Sequence, residues 1–472
     1  MKIGFVSLGC PKNLVDSEVM LGLAEQAGHE ITTEADGADV LVVNTCAFID
    51  RAKQESIDTI LEMAELKKQA AGRKLIVTGC MAERYRDELK AEIPEIDAIL
   101  GTGEVTGLVS VLAGQTTHAS PMSFYKRAGI SAAVTALPPK AAQPVFGLDL
   151  PTYLYDATTP RRRATPGHYA YVKIAEGCDY KCAFCIIPKM RGQYRSRSIE
   201  SVVQEARNLA AEGVKELLLI SQDTTFYGID QGQRGALPRL LRALNAVDGI
   251  EWIRMLYLYP TTITDEVIGA VAELDKVCKY IDLPLQHAAD PVLKRMRRPG
   301  TRAAYERLLG NIRERMPGVS LRTTFIAGFP GETEQDVDAL EQFIRNVEFD
   351  HLGVFTYSHE EGTSAFALTD DVSEPEKEAR QARLMATQRD IVSKRQQGRI
   401  GERVRLMVDG PSPEHEWVWR GRLAGQAPDI DPVVYLTDAD PADLSPGRLI
   451  EAEIVGAEAY DLVARPLVPA MV

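Results

Sequence analysis

The sequence predicts an α/β protein in three parts. These are an N-terminal parallel α/β domain, a central (βα)6 partial barrel and a small all-β barrel at the C-terminus. Three observations carry this expectation. Short apolar, β-branched runs alternate with amphipathic helical stretches over 1–112. The same alternation returns over 167–397 with six candidate strands. Over 398–468 it gives way to short strands separated by Gly, Pro and Asp.

The first part begins with three strand-like runs, each ending at a cysteine. Ile3 to Leu8 leads into Gly9-Cys10, Val40 to Val43 into Asn44-Thr45-Cys46, and Leu75 to Thr78 into Gly79-Cys80. Helical patterns lie between them, Ser17 to Ala27 and Ser56 to Ala70. A β-α-β order implies parallel strands with right-handed crossovers, so all three strands end on one sheet edge. Cys10, Cys46 and Cys80 therefore converge at the carboxyl edge, where open α/β sheets bind ligands. One buried cysteine packs well in such a core and needs no role. Three at equivalent strand ends predict a three-thiolate iron–sulfur site with one iron left open. Gly101 to Gly107 looks superficially like a dinucleotide loop, but its third glycine falls one position late, and it reads as a turn.

Residues 113–166 read as a linker rich in Ala, Pro, Ser and Thr, with Pro138-Pro139, a possible strand near Tyr153-Leu154-Tyr155, and the basic triplet Arg161-Arg162-Arg163. The triplet suits a phosphate, an acidic surface or plain solvation.

The central part has candidate strands at 169–175, 216–221, 252–258, 280–283, 320–327 and 351–357. Helical patterns fall near 201–212, 237–247, 263–274, 301–315 and 334–346, and Pro375 to Arg395 closes the domain. Six units are too few for a full eight-stranded barrel. The loop after the first strand carries Cys178, Cys182 and Cys185 with the spacing C-x3-C-x2-C. Structural zinc wants four closed ligands, and no fourth Cys or His lies near. Three thiolates holding a cubane cluster leave one iron able to bind something else. Cys278 has no companion and reads as a packing residue.

In the last part, 404–408, 417–422, 433–436 and 450–455 are the expected strands of a small barrel of the oligonucleotide-binding-like sort.

Composition bounds the function. The chain has 472 residues and a net charge of −13. Residues 1–112 hold 11 basic and 19 acidic side chains, and 399–472 hold 7 and 13. Acidic terminal domains disfavour RNA as the main partner and favour a basic one. No run of 18 apolar residues predicts a membrane span. The N-terminus reads as a strand rather than a cleavable signal. Cysteines gathered in two sets suit the reducing cytoplasm rather than a disulfide framework.

The C-x3-C-x2-C loop resembles the signature of radical S-adenosylmethionine (SAM) enzymes. There the open iron chelates SAM, and an electron from the cluster splits the sulfonium to give a radical that abstracts hydrogen. Two three-cysteine sites followed by a small β-barrel resemble the methylthiotransferases over nearly the whole chain, the last part resembling their TRAM domain. Ser7 to Glu18, Asn44 to Ile49, Ile186 to Arg197, Asp282 to His287 and Gly328 to Thr333 look like the RimO branch. The tRNA-modifying MiaB branch typically has Gln-Met-Asn after its first glycine and cysteine, which this chain lacks. Departures are the long linker and Ala47, where a glycine is common.

The resemblance implies methylthiolation of the β-carbon of an aspartate in ribosomal protein S twelve, with two 4Fe-4S clusters and SAM as cofactors. One cluster, on Cys178, Cys182 and Cys185, generates the radical. The other, on Cys10, Cys46 and Cys80, holds the sulfur. An electron donor such as flavodoxin or ferredoxin and a sulfur source are implied partners. Alternatives are the same chemistry on a tRNA adenosine, and a non-catalytic iron–sulfur electron-transfer protein. Gln222 and Asp223, after the second barrel strand, are candidates for SAM's ribose or amino group, although Asp223 equally suits a helix cap. Gly328 and Gly331 would admit adenine close to the backbone, or simply form a turn. His287 reads as a structural histidine. Arg191, Arg195 and Arg197 suit a carboxylate or solvent.

Overall fold

A computed structural model describes residues 1–115, 150–414 and 418–467. Pro138-Pro139, Trp417 and the expected domain end at 468 lie outside the described residues. The chain forms two compact units. The first comprises Met1–Ala164, Ala175–Arg197 and Glu360–Thr363; the second comprises Thr165–Ile174, Ser198–His359 and Ser364–Val472.

In the first unit, β1 (Lys2–Ser7), β2 (Glu30–Thr32), β3 (Val40–Thr45), β4 (Lys74–Gly79) and β5 (Ala98–Leu100) form a parallel sheet in the order β2-β1-β3-β4-β5. Val40 to Thr45 are buried throughout, as a central strand covered on both faces requires. Helices Pro11–Gln26 and Asp50–Lys68 are the crossovers. The strands end in register, Ser7 opposite Asn44 and Thr45 opposite Gly79. That alignment brings the three cysteine-bearing loops to one edge. The short strands β2 and β5 were not expected: three residues each, they add little to the periodic signal.

Two sequence expectations for the linker meet different outcomes. Tyr153 to Tyr155 form no strand. They pack instead through side chains and lone carbonyls, with the Arg197 guanidinium 4.3 Å from the centre of the Tyr155 ring and Arg195 donating to the Tyr153 carbonyl at 3.4 Å. The arginine triplet does grip an acidic surface, that of the chain's own first helix. Arg161 donates to Glu18 at 2.5 and 2.9 Å, and Arg162 to Glu25 at 2.8 Å. A Cβ at Gly22 would lie 2.5 Å from the Arg161 nitrogen, so only glycine lets this segment lie on the helix.

In the second unit, β6 (Tyr169–Lys173) is the first barrel strand; the small hairpin of β7 (Ala175–Glu176) and β8 (Arg195–Ser196) that follows it belongs to the first unit. Then come β9 (Glu216–Ile220), β10 (Trp252–Met255), β11 (Tyr280–Asp282), β12 (Ser320–Ala327) and β13 (His351–Thr356). They pair in parallel as β10-β9-β6 and β11-β12-β13. The two halves meet where Cys278 donates to the Ile253 carbonyl and Leu258 to the Asp282 carbonyl, both at 2.9 Å. All six expected strands are present, as an open partial barrel. The helix Asp290–Arg295 was missed, being only six residues long. Helix Glu374–Gln397 closes the domain.

The C-terminal strands β14 (Arg403–Pro411), β15 (Trp419–Leu423), β16 (Val434–Leu436), β17 (Leu449–Glu458) and β18 (Asp461–Pro466) close into a barrel in the order β14-β15-β16-β18-β17. The loop between β15 and β16 covers the N-terminal ends of the parallel strands. Arg254 donates to the Ala424 carbonyl at 2.8 Å. Ser320 and His351 donate to the Gly425 carbonyl at 2.9 and 2.7 Å. Tyr169 donates to Asp429 at 2.9 Å, and Tyr280 to Asp431 at 2.7 Å. Beneath them Glu216, fully buried, stands 2.8 Å from both Arg254 and Arg422. Two of the aspartates in the acidic 429–443 segment are thus engaged within the unit, whereas Asp438, Asp440 and Asp443 are exposed.

Candidate functional site

The first cysteine triad is built by turns that only glycine permits at two of three places. Gly9 has φ +87°, and a Cβ there would lie 2.7 Å from Cys46 Cβ and 3.1 Å from Cys46 Sγ. Gly79 has φ +94°, and a Cβ would lie 2.2 Å from Asn44 Oδ1 and 2.7 Å from the Thr45 carbonyl. Cys10 then precedes helix Pro11–Gln26, and Cys80 opens helix Cys80–Arg84. Cys46 is clamped by Ser56, whose hydroxyl accepts from the Cys46 amide at 3.0 Å and donates to its carbonyl at 2.9 Å.

Asn13 gathers these loops. Its amide donates to the carbonyls of Leu8 (2.9 Å) and Thr45 (2.8 Å), beside Cys10 and Cys46, and its Oδ1 lies 3.7 Å from Cys80 Sγ. Asn44 adds bonds to the Asn13 carbonyl and the Ser17 hydroxyl, both 2.8 Å.

Burial, with the neighbouring Cys46 and Cys10 thiols adding to it and Arg191 opposing, pushes Cys80 up to about 12. Burial and Cys10 likewise raise Cys46. Three thiols that sense one another at one sheet edge form a joint donor set. For Cys46 and Cys80 burial therefore favours the neutral thiol, and a nearby positive charge favours the thiolate. Among the described residues no three His, Cys, Asp or Glu side chains converge on a single ion. A cubane takes one thiolate per iron, whereas a structural zinc site closes on four ligands.

The second triad lies on the loop between β7 and β8, in the same unit as the first. Cys178 donates its amide to the Gly192 carbonyl at 3.0 Å, and Cys185 to the Cys182 carbonyl at 3.2 Å. A Cβ at Gly177 (φ +84°) would lie 2.0 Å from the Gln193 carbonyl, so the glycine lets the loop turn tightly against the returning strand. All three cysteines are partly exposed and none is in a disulfide.

Most of the remaining candidates have structural partners within the second unit. Asp223 is buried and accepts from the Thr225 amide (2.9 Å) and the Thr262 hydroxyl (3.2 Å), the capping role open to it from the start. Gln222 precedes it at the carboxyl end of β9. Gly328 (φ +78°) leaves room for Lys377, whose Cγ would lie 2.2 Å from a Cβ, and its amide donates to Glu332 at 2.9 Å. Gly331 (φ +75°) donates to Asp371 at 2.7 Å and accepts from Arg295 at 2.8 Å. His287 is structural, paired with Glu332 at 3.2 Å and accepting from the Ala289 amide at 2.9 Å. Cys278 is buried, with its thiol pushed up to about 11 by burial. Sequence reasoning missed Asn13 and underrated Arg191. Asn13 lies three residues after Cys10, the spacing at which a side chain one turn into a helix can reach back to its start.

Three family descriptions match the chain. The uncharacterized protein family UPF0004 covers residues 2–101, the Radical SAM superfamily 172–344 and the TRAM domain 400–467. Among solved structures, the radical S-adenosylmethionine methyltransferase TsrM from Kitasatospora setae has a TM-score of 0.52 at 16% identity, over 75% of this chain and 72% of that one. At that identity the likeness is one of fold. A ribosomal protein uS12 methylthiotransferase RimO from Koribacter versatilis is 47% identical over 99% of this chain and 96% of its own length. The protein of the same name from Symbiobacterium thermophilum is 48% identical over 99% and 92%. With identity this high over its whole length, the chain belongs to the RimO family of ribosomal protein uS12 methylthiotransferases.

Proposed function

We propose that this chain replaces a hydrogen on the β-carbon of an aspartate of ribosomal protein uS12 with a methylthio group. In this reading Cys10, Cys46 and Cys80 hold one 4Fe-4S cluster, and Cys178, Cys182 and Cys185 hold a second that binds SAM. When bound, these groups supply what an unactivated C–H bond demands, a radical generator and a sulfur carrier. The observation that carries the reading is the presence of two separate cysteine triads in a chain alike over its full length to proteins so named.

The chain's own residues have definable tasks. Gly9, Gly79 and Asn13 set the spacing of the first triad, and Gly177 and the Cys178–Gly192 bond set the second. Gln222 and Asp223, just beyond the carboxyl end of β9, are the polar candidates for SAM, and Asp223 also accepts from two threonines. The reaction calls for an electron donor of the flavodoxin or ferredoxin kind and a sulfur source. A ribosomal substrate and seven cysteines without disulfides suit the cytoplasm, and among the described residues no helix is long and apolar enough to cross a membrane. The acidic balance of 399–472 supports a basic protein rather than RNA as the partner.

The test is mass spectrometry of uS12 from cells lacking this chain. Its absence should remove one methylthio group, and restoring the wild-type chain, but not Cys46→Ala, should return it. Full modification without the chain would refute the proposal.

A further inference from the structure

Arg191 closes the short helix Ile187–Arg191, which starts two residues after Cys185. Its guanidinium nevertheless lies among residues of the first triad. Nη1 donates to Asp16 Oδ2 at 2.6 Å and to Glu176 Oε2 at 3.3 Å. Nη2 donates to Asn13 Oδ1 at 2.5 Å and stands 3.6 Å from Cys80 Sγ. The side chain is 3% exposed. Asn13 holds the loops of Cys10 and Cys46, and Glu176 stands two residues before Cys178. One buried cation therefore touches a ligand sulfur of one triad, the hub of that triad, and the carboxylate at the entrance to the other. The backbone of the same helix is pinned as well, the Met190 carbonyl accepting from Thr102 at 2.6 Å.

Two carboxylates alone would explain a buried arginine as an ion pair, and such pairs contribute little net stability. The thiol contact is different. A cation and a hydrogen-bond donor beside a ligand sulfur favour the more negative, reduced state of an iron–sulfur centre, because both act through a low dielectric.

We propose that Arg191 is a positioning residue that fixes the two triads relative to each other and raises the reduction potential of the cluster held by Cys10, Cys46 and Cys80. The proposal rests on the reading that this triad holds a cluster. It is tested on the full chain carrying Cys178→Ala, Cys182→Ala and Cys185→Ala, reconstituted with iron and sulfide, so that only the first site reports. Potentiometric titration followed by electron paramagnetic resonance is compared for that parent and for its Arg191→Lys and Arg191→Met derivatives. Both should keep about four irons per chain. Arg191→Met should be at least tenfold harder to reduce, a shift of about 59 mV to the negative for one electron. Arg191→Lys, which keeps the charge but not the fork, should lie between. An iron-loaded Arg191→Met with an unmoved potential overturns the proposal. If Arg191→Met loads no iron, Arg191→Lys decides: a potential equal to the parent's overturns the proposal, and a negative shift supports it. A parent that binds no iron refutes the underlying cluster reading, which is a distinguishable result.

Discussion

Replacing Glu216 with Gln should loosen the C-terminal barrel from the strands it covers without disturbing the N-terminal sheet. Glu216 is fully buried between Arg254 and Arg422, 2.8 Å from each. Arg422 retains Asp409 at 2.9 Å, whereas among the described contacts Arg254 keeps the Ala424 carbonyl and the faces of Tyr280 and Trp252, 4.7 and 6.0 Å from the ring centres, none of them an anion. Removing one partner of a buried pair costs about 3–5 kcal/mol because the other charge is left uncompensated. Gln still accepts one hydrogen bond, so the lower end, about 3 kcal/mol, is expected. At about 1.4 kcal/mol per tenfold, that is roughly a hundredfold in a local opening equilibrium. Hydrogen exchange read peptide by peptide should therefore accelerate about a hundredfold in 424–431 and at the starts of β6, β9 and β11, with β3 and β4 unchanged. Adding Arg254→Met should recover part of the loss, since no orphaned guanidinium then remains. Unchanged exchange in Glu216→Gln, or equal acceleration in both units, would refute the reasoning.

Three other perturbations have definite outcomes. Gly79→Ala places a Cβ 2.7 Å from the Thr45 carbonyl in a left-handed conformation, so Cys80 must move, and iron analysis should show the loss of about four irons per chain while SAM cleavage persists. Burial opposes ionisation of Glu332 and Asp409, yet His287 and Arg380 at the first, and Arg422 and His168 at the second, hold both below the usual carboxylate range. Their stabilisation is present above about pH 4 and is lost as pH falls through their folded values, so thermal midpoints should drop on acidification, with a shallower slope in Glu332→Gln. Asp438→Lys, Asp440→Lys and Asp443→Lys together should slow modification of isolated uS12 at low salt, the difference vanishing at high salt; equal rates would remove the case for electrostatic docking.

Much of the architecture was legible in the sequence because it is written in long periodic signals. Val40 to Val43 and Leu217 to Ile220 are runs that only doubly covered strands tolerate, and the alternating helices leave one parallel topology. The convergence of Cys10, Cys46 and Cys80 followed from that topology alone. What stayed hidden depends on contacts distant in sequence. Nothing in the residues around Arg191 shows that its guanidinium meets Asp16 and Asn13, some 175 positions earlier. The run of aspartates over 429–443 read as one docking surface, yet Asp429 and Asp431 accept from Tyr169 and Tyr280. Asp223 and Gly328 carried two meanings in sequence, and their hydrogen bonds and close neighbours supply the structural one.

The central claim is that two cysteine triads hold two independent clusters. Its most direct test is the iron content of anaerobically reconstituted protein, compared between the wild type and the two triple alanine variants. The account predicts about eight irons per chain in the wild type and about four in each variant, whether Cys10, Cys46 and Cys80 or Cys178, Cys182 and Cys185 are removed. A wild type with only about four irons, all of them lost with the Cys178 triad and none with the Cys10 triad, would contradict it.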